Sequence, residues 1–246
     1  MIKVETTKMT MPVFIVLVDE RAIQENVDEI LSYFDLINNI FNSFDEFSYI
    51  SKINRGEIKE KDWHPLVKEI ITLAEKTKKE TDGYFEYLRD GKYELLGIVK
   101  GFAIHQACNL LKEKGLKNFL VEIAGDIEVA GLNEKGEKWK IGIRNPFNKD
   151  EIIKVLSVTN AGIATSGNYE RGEHIYNPHT GKMATDISSL TVIAKNALEA
   201  DRFSTPFFAE GKSSIYKLEQ MEDFEGYMVY NNKEAVSTTG LSKFIN

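Results

Sequence analysis

The chain is poor in the residues that staple or puncture folds. Its 246 residues include one cysteine, five prolines, four histidines and two tryptophans. A lone Cys108 excludes an internal disulfide and any Cys-rich metal centre. Its surroundings, Ala107-Cys108-Asn109-Leu110-Leu111, read as a helix in which the thiol packs as a small hydrophobe. No long apolar run is present: Pro12 to Val18 is far too short to cross a bilayer. Basic residues are outnumbered, 31 against 38 acidic, for a net charge of −7, so no general basic face for nucleic acid is expected. Met1 to Thr10 lacks an apolar stretch before its charges begin, which argues against a signal peptide and for a cytoplasmic protein. Repeats, low-complexity tracts and linkers rich in Pro, Gly or Ser are also missing. With 42% hydrophobic residues, the chain is expected to fold as one compact unit spanning residues 1–246.

What is present alternates between helix and strand periodicities. Val13 to Val18 is β-branched and continuous, the pattern of a buried strand. Ile23, Val27, Ile30, Leu31, Phe34, Ile37 and Ile40 line one face of a helix within residues 20–43. Residues 43–57 read as a polar loop, and His64 to Thr81 as a second helix ending in the turn Thr81-Asp82-Gly83. Gly97 to Lys114 is a third helix. Phe119 to Ile123 is a strand, and Ile127-Glu128-Val129 and Trp139 to Ile143 are expected to pair across a hairpin turn at 132–138. Val155 to Ala164, Ser188 to Ala194 and Tyr227 to Tyr230 are further strands, the last expected beside the N-terminal strand. Ala197 to Phe208 is a helix that Pro206 should interrupt or bend. Mixed elements without strict βαβ alternation point to an α+β fold with a largely antiparallel sheet and packed helices.

Three clusters hold more polar and glycine chemistry than packing needs. Gly97 and Gly101 bracket Lys100 at a helix start, where free N–H groups and a cation favour an anion; a tight packing contact would use the same glycines. Thr165-Ser166-Gly167 follows a strand, and His174 precedes the turn Asn177-Pro178-His179-Thr180-Gly181. His174 suits a general base, a phosphate partner or a metal ligand, although ordinary turns use these residue types too. Asp201 and Thr205, four apart on a helix, place two oxygens on one face. That pair suits Mg²⁺ or, equally, a helix-start Asp with a back-bonding Thr.

In order along the chain, these clusters resemble the ApbE-type FAD:protein FMN transferases. The matching stretches are Met9-Thr10-Met11-Pro12, Ser51 to Asn54, Thr81-Asp82-Gly83-Tyr84-Phe85-Glu86, and Glu94 to His105. They continue with Ala124-Gly125-Asp126-Ile127, Ala164 to Tyr169, His174 to Gly181, and Ala200-Asp201 to Thr205. The resemblance implies an enzyme that binds FAD with Mg²⁺ and moves its FMN moiety to a Thr or Ser hydroxyl of an acceptor protein, releasing AMP. It implies metal ligation by Asp201, Thr205 and the Gly97 carbonyl, with His174 taking the hydroxyl proton. Contacts to FAD are implied for Tyr84, Phe85, Glu86, Glu94, Lys100, Thr165, Ser166, Gly167 and Ile175. Neither nucleic acid nor a membrane span is implied. The family's pattern has Asp where this chain has Glu86, Glu94 and His105, and Gly where it has Leu96 and Ala124. Two alternatives share the site: an FAD pyrophosphatase giving FMN and AMP, and a flavin-binding protein without turnover.

Overall fold

A computed structural model describes residues 1–168 and 175–245. In chain order the elements are β1 (Ile2–Lys8), β2 (Met11–Leu17), α1 (Gln24–Phe41), α2 (Tyr49–Asn54), α3 (Pro65–Glu80), β3 (Leu88–Arg89), β4 (Lys92–Tyr93) and α4 (Leu96–Glu113). They continue through β5 (Phe119–Ile123), β6 (Asp126–Ala130), β7 (Trp139–Asn145), β8 (Asn148–Val158), β9 (Ala161–Gly167), β10 (Tyr176–Asn177), β11 (Lys182–Met183) and β12 (Ile187–Ala194). The last are α5 (Ala197–Glu210), α6 (Ser214–Gln220), β13 (Glu225–Tyr230) and β14 (Ala235–Ser237).

One eight-stranded sheet, ordered β1-β2-β5-β6-β9-β12-β13-β14, organises the chain, and each neighbouring pair is antiparallel. This is the expected α+β class. Strand alternation gives the sheet two apolar faces. On one face α1, α3 and α4 cover β2 and β5 through Phe34, Ile37, Ile70, Phe102 and Val121. α5 and α6 cover β12 and β13 on that same face through Phe203, Phe207, Leu190 and Met228. On the other face the β7–β8 hairpin packs Trp139, Ile141 and Leu156 over Leu120, Ile127 and Ile163. Among the described residues no helix is long and apolar enough to cross a membrane.

The differences from the sequence expectations are local. β1 was not separable from sequence alone; its alternating half-exposed pattern is an edge strand on β2. The expected loop at 43–57 contains α2, started by the Ser48 hydroxyl accepting from Ser51 N. β6 does not pair with β7: it lies between β5 and β9, while β7 pairs with β8 in a separate ribbon. The single strand expected over 155–164 is two, β8 and β9, split at Asn160, which adopts φ 49°. α5 runs through Pro206 without ending. β13 joins β12 and β14, at the opposite end of the sheet from β1.

Candidate active site

The site grows out of the seam where α4 and α5 meet β6 and β9. Glycines let the backbones approach. A Cβ on Gly101 would stand 2.5 Å from the Asp201 Cβ and 2.7 Å from the Ala197 carbonyl. A Cβ on Gly162 would lie 1.9 Å from the Asn196 carbonyl carbon, so only glycine admits the start of α5 at that point on β9. Asn196 caps α5 by accepting from Glu199 N at 2.8 Å. From the far side, the buried Arg202 ties α5 to α3. Its guanidinium donates to Glu80, to Glu199 at 2.9 Å and to Thr77 Oγ1 at 3.2 Å.

Into this seam project two buried carboxyls, from Asp126 on β6 (2% exposed) and Asp201 on α5 (4%). Lys100 Nζ lies 2.7 Å from Asp126 Oδ2, an ion pair rather than a directed hydrogen bond. Asp126 Oδ1 accepts from Thr165 N at 3.3 Å, and Asp201 Oδ2 accepts from Gly101 N at 2.7 Å. Burial, then the neighbouring Asp126 carboxylate, push the Asp201 carboxyl up to about 7, against the pull of Lys100 and the Gly101 N–H. Hydroxyls complete the cluster: Ser166 Oγ is 3.0 Å from both Ser204 Oγ and Thr205 Oγ1. Ser204, not Thr205, makes the back-bond, to the Asp201 carbonyl at 3.2 Å. Thr205 therefore keeps its hydroxyl in the seam, on the same helical face as Asp201. In an α-helix the Gly101 N–H donates to the Gly97 carbonyl. Its bond to Asp201 competes for that donor and leaves lone-pair capacity at Gly97.

The structure thus brings together Lys100, Ser166, Asp201 and Thr205, with Gly97 one turn before Gly101. Other expected contacts stand elsewhere. Thr165 presents its hydroxyl to Thr191 at 2.8 Å, on the opposite strand face from Ser166. Phe85 is buried in the core beneath α4, where a Cβ on Gly97 would touch its ring at 3.3 Å; its side chain supports the site from behind. Tyr84 packs edge-on to His179 with ring centroids 4.4 Å apart, and Lys217 Nζ lies 5.6 Å from its ring. His179 Nε2 also bonds the Asp82 carbonyl at 2.9 Å, so the 81–86 turn is pinned to the β10–β11 ribbon. The Glu86 carboxylate is occupied by Lys78 at 2.6 Å and by the Tyr87 and Leu88 amides. Burial alone would raise Glu86, but those partners outweigh it and hold the carboxyl below its usual range. Glu94 is exposed. Ile175 is buried, with its carbonyl accepting from Ala184 N at 2.8 Å. Gly167 ends β9 opposite Ser189. His174 lies outside the described residues.

Asp126, Arg202 and Ser204 stand in the sequence only as members of matching motifs, with no role of their own. Asp126 carried one signal, a carboxylate closing a Gly-Asp turn ahead of apolar residues, but nothing local revealed its partners. Asn54, quoted only as a motif residue, proves to be a clamp. It exchanges two hydrogen bonds with the Tyr93 backbone, at 2.8 and 3.1 Å, and so fixes the approach to α4.

The sequence profile of the ApbE family matches residues 87–228, more than half the chain and the whole of the α4–α5 seam. The chain belongs to the ApbE family. It is 29% identical over 185 residues to the FAD:protein FMN transferase of Haemophilus influenzae, an alignment covering 71% of this chain and 53% of that protein. It is 28% identical over 161 residues to the enzyme of the same name from Escherichia coli, covering 61% and 46%. The chain therefore spans about half the length of the curated relatives it matches. Its fold is that of the ApbE protein of Thermotoga maritima (TM-score 0.86, 22% identity, 100% and 99% of the two chains covered). It is also that of the Vibrio cholerae flavin transferase ApbE (TM-score 0.82, 18% identity, 99% of each chain).

Proposed function

We propose that this ApbE-family chain transfers the FMN moiety of FAD to a Thr or Ser hydroxyl of an acceptor protein, with Mg²⁺ bound in the α4–α5 seam. The observation that carries the reading is the pairing of two buried carboxyls, Asp126 and Asp201, beside the ammonium of Lys100. Among the described residues that pair has more carboxyl than cationic charge; beside the Thr165 and Gly101 amides that donate to it stand the hydroxyls of Ser166, Ser204 and Thr205. Hard oxygens of this kind suit Mg²⁺ rather than zinc. Among the described residues there is no cluster of three or more His, Cys, Asp or Glu side chains, so the proposed set rests on a carboxyl, a hydroxyl and a backbone carbonyl. Asp201, Thr205 and the Gly97 carbonyl would hold the ion, which supplies Lewis-acid charge neutralisation at a pyrophosphate.

The remaining roles fall to the chain's own groups. Lys100, in the second turn of α4, orients the pyrophosphate and offsets its charge. Ser166 and Gly167 border the same cleft. Tyr84, Glu86, Glu94 and Ile175 are assigned to the flavin or adenine side, while Phe85 supports the wall from behind through its ring and Thr165 through its backbone N–H. The acceptor oxygen bonds to the FMN phosphorus as the pyrophosphate P–O bond breaks and AMP leaves, and His174 is assigned the hydroxyl proton. We place this reaction in the cytoplasm, within a single unit spanning 1–246, as part of the same proposal.

The test is chromatography of FAD incubated with the protein and a Thr-bearing acceptor peptide, with and without Mg²⁺. AMP and labelled peptide appearing only with metal, and lost in Asp201→Ala, are expected. AMP with free FMN and an unlabelled peptide would instead establish the pyrophosphatase. Bound FAD without AMP would leave a flavin-binding role.

A further inference from the structure

Two residues beyond Asp126 on β6, and therefore on the same strand face, stands a second buried carboxylate, Glu128, 2% exposed. Its bonds go to the two helices that build the site. Oε2 accepts from Ala197 N, in the first turn of α5, at 3.0 Å, and from His105 Nδ1 on α4 at 3.0 Å. Oε1 accepts from Lys112 Nζ, also on α4, at 3.1 Å. Asn109 Nδ2 lies 3.4 Å from His105 Nε2, and as donor there it leaves the ring proton on Nδ1 to face Glu128. On the β9 side the residue paired with Glu128 is Gly162, the glycine whose missing side chain makes room for Asn196 and Ala197. Seat and latch thus meet at one cross-strand pair. Asp201 is one helical turn beyond Ala197, and Thr205 two turns beyond.

We propose that Glu128, held by His105, is a positioning residue: it seats the first turn of α5 on β6 and so sets where Asp201 and Thr205 stand. The proposal rests on the functional reading above for what those two residues do, not for where they are. It also accounts for His105, where the family's motif has Asp. A carboxylate at 105 would face Glu128 with like charge, whereas the imidazole donates to it. The residue at 105 is thus matched to the residue at 128 in this chain.

The experiment compares Glu128→Leu, Glu128→Gln, His105→Asp and the double variant His105→Asp/Glu128→Gln. Two readings are taken: the Mg²⁺ dependence of AMP release from FAD, and amide hydrogen exchange in 197–200 and at Gly101, whose N–H reports on Asp201. Glu128→Leu is expected to raise the Mg²⁺ concentration for half-maximal rate about tenfold, the scale of losses on removing a ligand's support, with kcat at saturating Mg²⁺ nearly unchanged. Exchange at 197–200 and Gly101 should rise with it. Glu128→Gln, which keeps an acceptor for Ala197 N, should stay close to the parent. His105→Asp should behave like Glu128→Leu although it restores the family's residue, and the double variant should recover most of the loss. If Glu128→Leu does not fold, His105→Asp decides. Unchanged Mg²⁺ dependence and exchange in Glu128→Leu, or a His105→Asp variant equal to the parent, would overturn the proposal. If the parent releases no AMP, the functional reading fails, and the exchange data alone decide the positioning role.

Discussion

Asp126 and Glu128 share a strand, a strand face and near-complete burial, yet their surroundings are opposite in charge balance. Asp126 shares its pocket with a second carboxyl, Asp201, against one ammonium. Glu128 faces an ammonium, an imidazole, a helix N-terminal amide and the Cys108 thiol. Among the described residues the first arrangement sets two carboxyls against one ammonium, which is the basis of the proposed ion site; the second sets its carboxylate among donors. Even the lone thiol shows the difference. Burial, then the Glu128 carboxylate, push Cys108 well above its ordinary value and leave it an inert packing group. A buried acid is thus a site or a fastening according to what the helices bring to it, not according to its residue type.

The largest expected disruption removes the common ground of both carboxylates. Gly162→Ala places a methyl 1.9 Å from the Asn196 carbonyl carbon, with backbone rather than a yielding side chain in the way. A loss of about 3 kcal/mol or failure to fold should follow, read by thermal or denaturant unfolding. Next, the two carboxylates should differ in the sign or size of their effect on stability. Glu128→Leu strands the Ala197 amide and should cost about 2 kcal/mol. Asp126→Asn keeps an acceptor for Thr165 N and relieves Asp201, so metal-free stability at neutral pH should hold or rise by about 1 kcal/mol while activity falls. Equal losses in both variants would erase the contrast drawn here.

A pH series sharpens it further. Because the folded-state value of Asp201, about 7, lies above its ordinary 3.8, the folded chain keeps a proton that the unfolded chain has released between those limits. Raising pH across that window therefore favours unfolding, and the melting temperature of the metal-free protein should fall. Asp201→Asn should flatten the slope, whereas a slope unchanged in that variant would assign it to other groups. The smallest effect lies in the β5–β6 turn, where Ala124, a non-glycine residue, holds φ 49°. Ala124→Gly should stabilise the protein by about 1 kcal/mol, a gain read as a raised denaturant midpoint.

Local sequence by itself determined the elements whose signal is periodic. The apolar stripe of α1, the faces of α3 and α4, and the β-branched run of β2 stand where their spacing places them, because each pattern is complete within its own segment. The same holds for Asp201 and Thr205, which share a face of α5 by helical geometry alone, and the order of the motifs pointed to the family. Tertiary structure alone decided the rest. That β6 takes β9 rather than β7 as its second neighbour depends on a strand more than thirty residues away. That Phe85 is core rather than wall depends on α4 settling over it. The roles of Asp126 and Glu128 were invisible for the same reason. A carboxylate's charge balance is set by groups brought close in space, and theirs arrive from α4 and α5, far away along the chain.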